Sequence, residues 1–243
     1  MTHTTTVNYH VYVPGRQAHH IDTGGVEGRV ISPRHAVTDV CVTYVRYSGE
    51  VRLEVDSVEY FTAPSQVRLF NDGGAWQAVY DRKLADLLVR EHAAEEVIVF
   101  DYTVRAYDPN ASRKLARNVH SDYNPKGAQH RLIDILGSKT AKVWSEGHYG
   151  FINVWRLVEH PINSAPLGFV RPTSVAVQTW LMLELIYPSR RGHIMGLVVN
   201  QDTDWIYQSK MAPDEVDVFN NCDNRGKPSI AHSAPSLTGK SSR

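Results

Sequence analysis

Apolar and polar side chains alternate along much of the chain. Val7, Tyr9, Val11 and Val13 are interleaved with Asn8, His10 and Tyr12, and the run stops at Pro14-Gly15. Side chains of a strand point alternately to its two faces, so this pattern predicts a strand over 7–13 that runs into a turn. Further short strands are predicted over 40–44, 51–55 and 66–70, separated by Gly, Pro and Ser. The period then changes. Asn71-Asp72-Gly73-Gly74 offers a helix start, and Trp76, Val79, Tyr80, Leu84, Leu87 and Leu88 recur at helical spacing as far as His92. One apolar stripe of this kind is expected to cover one face of a sheet.

Residues 96–104, with Val97, Val99, Phe100 and Val104, read as the next strand. A polar, basic segment over 106–117 then delivers the chain to Val119-His120-Ser121-Asp122-Tyr123. Asn124-Pro125 opens a short helix over 126–136, closed by Gly137. From Tyr149 onward strands are predicted over 151–158, 167–170, 193–200, 204–209, 216–219 and 230–232. Many short strands broken by turns predict a mainly β fold, a barrel or jelly roll, rather than alternating βαβ units. The chain is expected to form a single domain over 1–243, with amino-terminal strands and a covering helix in 1–95 and the β core in 96–243.

The chemistry concentrates at His120 and Asp122. On one strand or at its end, residues two apart project to the same side, so an imidazole and a carboxylate converge. A third donor from far away would complete two histidines and one carboxylate, a set that holds non-haem Fe(II) and leaves positions open for a co-substrate and oxygen. The best distant partner is His232, in Ser229-Ile230-Ala231-His232-Ser233-Ala234. The string His-x-Asp is weak alone, since His20-Ile21-Asp22 repeats it; that copy reads as a surface turn. His148, His160 and His193 read as satisfied polar groups in a sheet, and His130 as exposed on the short helix. There is no Gly-x-Ser-x-Gly elbow and no glycine-rich phosphate cradle.

Composition narrows the partners. Lys+Arg and Asp+Glu balance at 26 each in 243 residues, so charge gives no reason to expect nucleic acid or an anionic membrane. The longest apolar run, residues 180–187, is too short to span a bilayer and contains Glu184. Cys41 and Cys222 cannot make a disulfide framework, and with no visible signal peptide they predict a cytoplasmic protein. An uncovered barrel edge would favour a homodimer.

Several segments in order resemble one known family. They are Val99-Phe100-Asp101-Tyr102-Thr103-Val104-Arg105, His120-Ser121-Asp122-Tyr123 with Gly127 and Arg131, Ile152-Asn153-Val154-Trp155-Arg156, Ala165-Pro166-Leu167, Trp205-Ile206-Tyr207, Met211-Ala212-Pro213-Asp214-Glu215-Val216 and Ala231-His232-Ser233-Ala234. From about residue 7 to the carboxyl end they are similar to the Fe(II)- and 2-oxoglutarate-dependent hydroxylase/desaturase group that includes the cephamycin 7-hydroxylation component and the fungal gibberellin desaturase.

The resemblance implies a double-stranded β-helix (jelly-roll) core with flanking helices, and an enzyme whose iron ligands are His120, Asp122 and His232. It implies 2-oxoglutarate as co-substrate, molecular oxygen, and a small-molecule substrate hydroxylated, desaturated or cyclised, in natural-product biosynthesis. Arg243, the eleventh residue after His232, resembles the family's anchor for the distal carboxylate of 2-oxoglutarate; Lys240 is the nearest alternative, and a plain terminal Arg is the bland one. The serine and the last barrel strand that follow this Arg in the family have no counterpart after Arg243 in this sequence. Asn153 with Trp155, and Trp205 with Tyr207, alternate onto single faces and are either ligand-lining pairs or core packing. Leu157, Arg171 and Thr173 depart from the family pattern. Two competing expectations are a non-catalytic metal- or ligand-binding jelly roll and a metal-dependent enzyme of the same fold that does not use 2-oxoglutarate.

Overall fold

The structure, a computed structural model, describes residues 2–15, 17–20, 34–47, 51–67, 70, 74–104, 116–158, 166–188, 191–200 and 202–235. The threonine-rich, alternating amino end forms β1 (Thr2–Val11), which pairs antiparallel with β3 (Arg34–Tyr44) along its whole length. The alternation sorts its faces: Val7 and Tyr9 are buried in the core with Val40 and Val42. The two strands are longer than the pattern predicted.

They belong to a nine-stranded mixed sheet. It also contains β2 (Ala18–His20), β5 (His120–Ser121), β7 (Gly168–Val170), β8 (Trp180–Ile186), β9 (Arg191–Leu197), β10 (Trp205–Tyr207) and β12 (Ala231–Ser233), in the order β1-β3-β10-β7-β12-β5-β9-β8-β2. Across its middle the antiparallel registers place Ile206, Phe169, His232, His120, Gly196 and Leu181 directly side by side. Directly opposed residues of antiparallel strands project to one face. This row therefore stands on one side of the sheet, while Trp205, Val170, Ala231 and Val119 stand on the other, in the core with Tyr9.

A second sheet packs over the row. Its order is β4-β11-β6, with β4 (Val58–Thr62), β6 (Gly150–Arg156) and β11 (Glu215–Asp223) all antiparallel. Phe219 of β11 meets Phe169 of the larger sheet with ring centroids 5.0 Å apart, and Val58, Ile206 and Ile230 fill the space beside them. Helix α2 (Gln77–His92) covers the outer face of the small sheet, placing Leu87 and Leu88 on Val216, Val218 and Val154. Of the helical stripe read from the sequence, Tyr80 and Leu87 are buried and Leu88 packs on the sheet, whereas Val79 faces solvent at 63% exposure.

Elsewhere local chemistry overrides the pattern. Residues 51–55 are not a strand; they run into the single turn α1 (Leu53–Asp56), where Asp56 accepts a hydrogen bond from the Arg52 amide at 3.1 Å and closes the backbone on itself. No strand forms in the described part of 66–70 or in 96–104. The latter segment packs by its aromatics instead, Phe100 against Phe151 at 5.6 Å and Tyr102 bonded to Asp81. The helix after the motif, α3 (Pro125–Glu146), continues past its predicted stop: Gly137, at φ 74° and ψ 158°, breaks it, and a second helical stretch follows. Ala141 and Trp144 on that stretch join Ala128 and Leu132 against Phe151 and Cys222, so burial carries the helix onward. Strands β2, β4 and β8 were not predicted.

Candidate metal centre

His120 sits in a two-residue strand held from both sides, by β9 and by β12. The chain cannot drift beyond it. Asn124 caps α3, accepting the Gly127 amide at 2.6 Å, and Pro125 occupies the first helical turn, where its missing N–H costs nothing. The His120 imidazole is buried, and its Nδ1 lies 2.8 Å from the Asn118 carbonyl oxygen. A carbonyl only accepts, so Nδ1 carries the proton and Nε2 presents its lone pair.

His232 lies directly opposite on β12, its ring centroid 4.4 Å from that of His120. Phe219 and Phe169 pack behind it at 4.9 and 6.4 Å. Asp122 follows β5, and two asparagines of the smaller sheet hold it. Asn153 donates to Oδ2 at 2.7 Å, and the Asp122 amide donates to Asn221 Oδ1 at 3.4 Å. The other oxygen, Oδ1, stands 3.5 Å from His120 Nε2 and 4.0 Å from His232 Nε2. One donor atom from each residue thus falls within 4.8 Å of the others, the only such group of three among the described residues.

Electrostatics prepare these donors for a cation. Burial alone would raise the Asp122 carboxyl, but the imidazoles of His120 and His232 facing it and the Asn153 amide outweigh that and hold the group well below the usual carboxylate range. The carboxylate is thus ionised at neutral pH. Nearby His10, fully buried, is pushed down to about 3 by burial and then by His35, His120 and His19, so it stays neutral. Two imidazole nitrogens and one carboxylate oxygen, with His120 Nδ1 and Asp122 Oδ2 hydrogen-bonded and the His232 ring packed on Phe219, suit a borderline divalent ion such as Fe(II).

A family model described as an oxidoreductase/YMDC permease-like domain matches residues 10–240, which include all three donors. The chain belongs to that family. Among curated proteins it is similar to the hydroxylase/desaturase efuI of Hormonema carpetanum, 25% identical over 243 residues that cover 88% of this chain and 81% of that protein. It is also 27% identical over 165 residues to the oxidoreductase clz16 of Cochliobolus lunatus, covering 59% of this chain and 56% of that one. Among solved structures, the iron and alpha-ketoglutarate-dependent endoperoxidase NvfI superposes with a TM-score of 0.85 at 18% identity, over 100% of this chain and 93% of that one. The fold is therefore the expected jelly roll.

The remaining candidates separate by face. Asn153 lies at the centre through its bond to Asp122, and Trp155, two residues on, packs between the sheets beside Phe169 and Phe219. Tyr207 does not: it projects to the opposite face, buried in the core with its ring 4.9 Å from that of Tyr44. Trp205 is there too, its indole N–H donating to the Tyr9 hydroxyl at 2.9 Å. Period-two parity decides this, because Ile206 between them takes the metal-facing place. Arg243, Lys240, His160 and the Ile21-Asp22 part of the second His-x-Asp copy lie outside the described residues. His148 is paired with Asp223 at 2.7 Å, as a satisfied surface histidine. Sequence reasoning missed Asn118 and Asn221. A signal for the second was present: two adjacent asparagines in the strand run Val216 to Cys222, whose only other charged or amide side chain is Asp217, have to serve something.

Proposed function

We propose that this protein is a non-haem Fe(II)- and 2-oxoglutarate-dependent dioxygenase that oxidises a C–H bond of a small molecule, by hydroxylation, desaturation or oxidative cyclisation, in natural-product biosynthesis. The convergence of His120 Nε2, His232 Nε2 and Asp122 Oδ1 between the two sheets carries the reading. Relatives named as a hydroxylase/desaturase and as an iron and alpha-ketoglutarate-dependent endoperoxidase support it. When bound, Fe(II) with 2-oxoglutarate supplies the activation of oxygen and the oxidising power that protein side chains lack.

The chain's own residues supply position and dryness. Asn118 fixes the His120 proton on Nδ1, Asn153 turns Asp122 so that Oδ1 faces the histidines, and Phe169 and Phe219 close the site behind His232. Arg243 is our choice for the distal carboxylate of 2-oxoglutarate, because its fixed fork matches a carboxylate and stays charged; Asn153 and Trp155 are the facing candidates on β6. The free thiols Cys41 and Cys222 fit a cytoplasmic protein, and no described helix is long and apolar enough to cross a membrane. A homodimer is part of the same reading.

The test is conversion of 2-oxoglutarate to succinate by the purified protein, which should need added Fe(II) and oxygen and vanish in His120→Ala. Succinate formation unchanged in that variant rejects the centre. Oxygen uptake without succinate would move the protein to chemistry that does not use 2-oxoglutarate.

A further inference from the structure

The residue beside His120 on β9 is Gly196, and the space its side chain would take is already filled. A Cβ there would lie 2.5 Å from Cδ2, 2.8 Å from Cγ and 2.9 Å from Nε2 of His10. Because Gly196 and His120 are directly opposed, they face the same way, so the His10 ring stands beside the metal-facing row and extends it with an imidazole from β1. β1 is brought there by backbone bonds: the Val119 amide donates to the Asn8 carbonyl at 2.9 Å, the Asn8 amide to the Arg117 carbonyl at 3.3 Å, and His10 bridges to Val198.

His10 is 0% exposed, and among the described residues its one hydrogen bond is a long one, from Asn118 Nδ2 to Nε2 at 3.4 Å. The same Asn118 accepts the His120 Nδ1 proton on its carbonyl at 2.8 Å. Side chain and main chain of Asn118 thus engage two different imidazoles, one inside and one outside the donor set. A histidine held merely for packing would be replaceable by any ring of its size, whereas one that anchors Asn118 has to accept a hydrogen bond at the Nε2 position.

We propose that His10 is a positioning residue for the metal centre: through Asn118 it fixes the orientation of the His120 ring, and Gly196 is required because only glycine leaves His10 its place. The proposal rests on the assignment of His120 as a metal ligand. Outer groups that orient a ligating imidazole typically change metal affinity by about 10–100-fold.

The experiment is a Co(II) titration of the full chain, read by affinity and by the visible ligand-field spectrum, on the wild type, His120→Ala, His10→Phe, His10→Gln, Asn118→Ala and Gly196→Ala. His10→Phe, Asn118→Ala and Gly196→Ala should each weaken Co(II) binding by about 10–100-fold and change the spectrum. His10→Gln, which keeps an acceptor for Asn118, should stay closer to wild type than His10→Phe. The double variant His10→Phe/Asn118→Ala should be no worse than either single change, since both cut one relay. If His10→Phe fails to fold, Asn118→Ala with His10→Gln carries the test. Wild-type affinity and spectrum in Asn118→Ala and Gly196→Ala, beside a large loss in His120→Ala, would overturn the role of His10 and leave the metal site standing. Wild-type behaviour of His120→Ala would overturn both.

Discussion

Asn153 on the smaller sheet donates from Nδ2 to Asp122 Oδ2 at 2.7 Å, so the carboxylate carried by the larger sheet is aimed from across the interior. Removing the amide frees the carboxylate to rotate and leaves Oδ2 without its donor. Asn153→Leu is therefore expected to lower Co(II) or Fe(II) affinity by about 10–100-fold. Asn153→Asp should be worse, because it sets a second negative charge against Asp122. Metal titration of the two variants checks the order; equal affinities would remove Asn153 from the centre.

The kink of α3 gives a prediction about stability alone. Gly137 holds φ 74° with ψ 158°, a region that side-chain-bearing residues avoid, yet a Cβ there meets nothing within 4 Å. Gly137→Ala thus isolates a backbone cost, about 1–3 kcal/mol, with no clash added. A fall in Tm with unchanged metal affinity is the expected result. Preserved Tm would show that the helix straightens through position 137 without penalty.

The three converging donors were legible through residue type and period, because the residues of His-x-Asp at a strand end project to one side and His232 is the best-placed distant partner. The alternation in 7–13 and the stripe from Trp76 to Leu88 were legible for the same reason: one buried face imposes one period. Where the deciding contact is tertiary, the pattern fails. Residues 96–104 have strand composition but spend it on Phe100 and Tyr102 packing, and Gly137 ends a helix that Ala141 and Trp144 renew. Tyr207 and Ile206 compete for the inner face, and only the register with Phe169 awards it to Ile206. The place of His10 was illegible, since it depends on an absent side chain 186 positions away at Gly196.

Arg46 clasps Glu215 with both terminal nitrogens, at 2.8 and 2.7 Å, while its Nε donates to the Ser209 carbonyl at 2.7 Å. The Arg46 bond first, opposed by burial and helped by the Ala212 amide, lowers the Glu215 pKa. A carboxyl lowered on folding stabilises the native state above its unfolded value, about 4.3, and loses that contribution as pH falls through the folded one. Arg46→Lys cannot reproduce the fork and should cost about 1–2 kcal/mol at pH 7. The Tm difference from wild type should shrink toward pH 3; a difference independent of pH would mean that packing, not the ion pair, was lost.

Asp217 presents the opposite sign. It is 2% exposed on β11, opposite Tyr60, and Oδ1 has no hydrogen-bond partner. Burial, and then the charge of Glu215, push its pKa well above the ordinary value. The folded protein therefore retains a proton that the unfolded chain releases above about pH 3.9, so stability drains as pH rises from there toward the folded value. Asp217→Asn keeps the shape and removes the titration. It should raise Tm at pH 7, by about 2–4 °C for each kcal/mol gained, with little gain near pH 3.5 where both states are protonated. A destabilised Asp217→Asn at neutral pH, with wild-type stability recovered only by the acid, would mean that an ionised carboxylate at this position is engaged by a cation, and would point the search for that cation toward the interior of the small sheet.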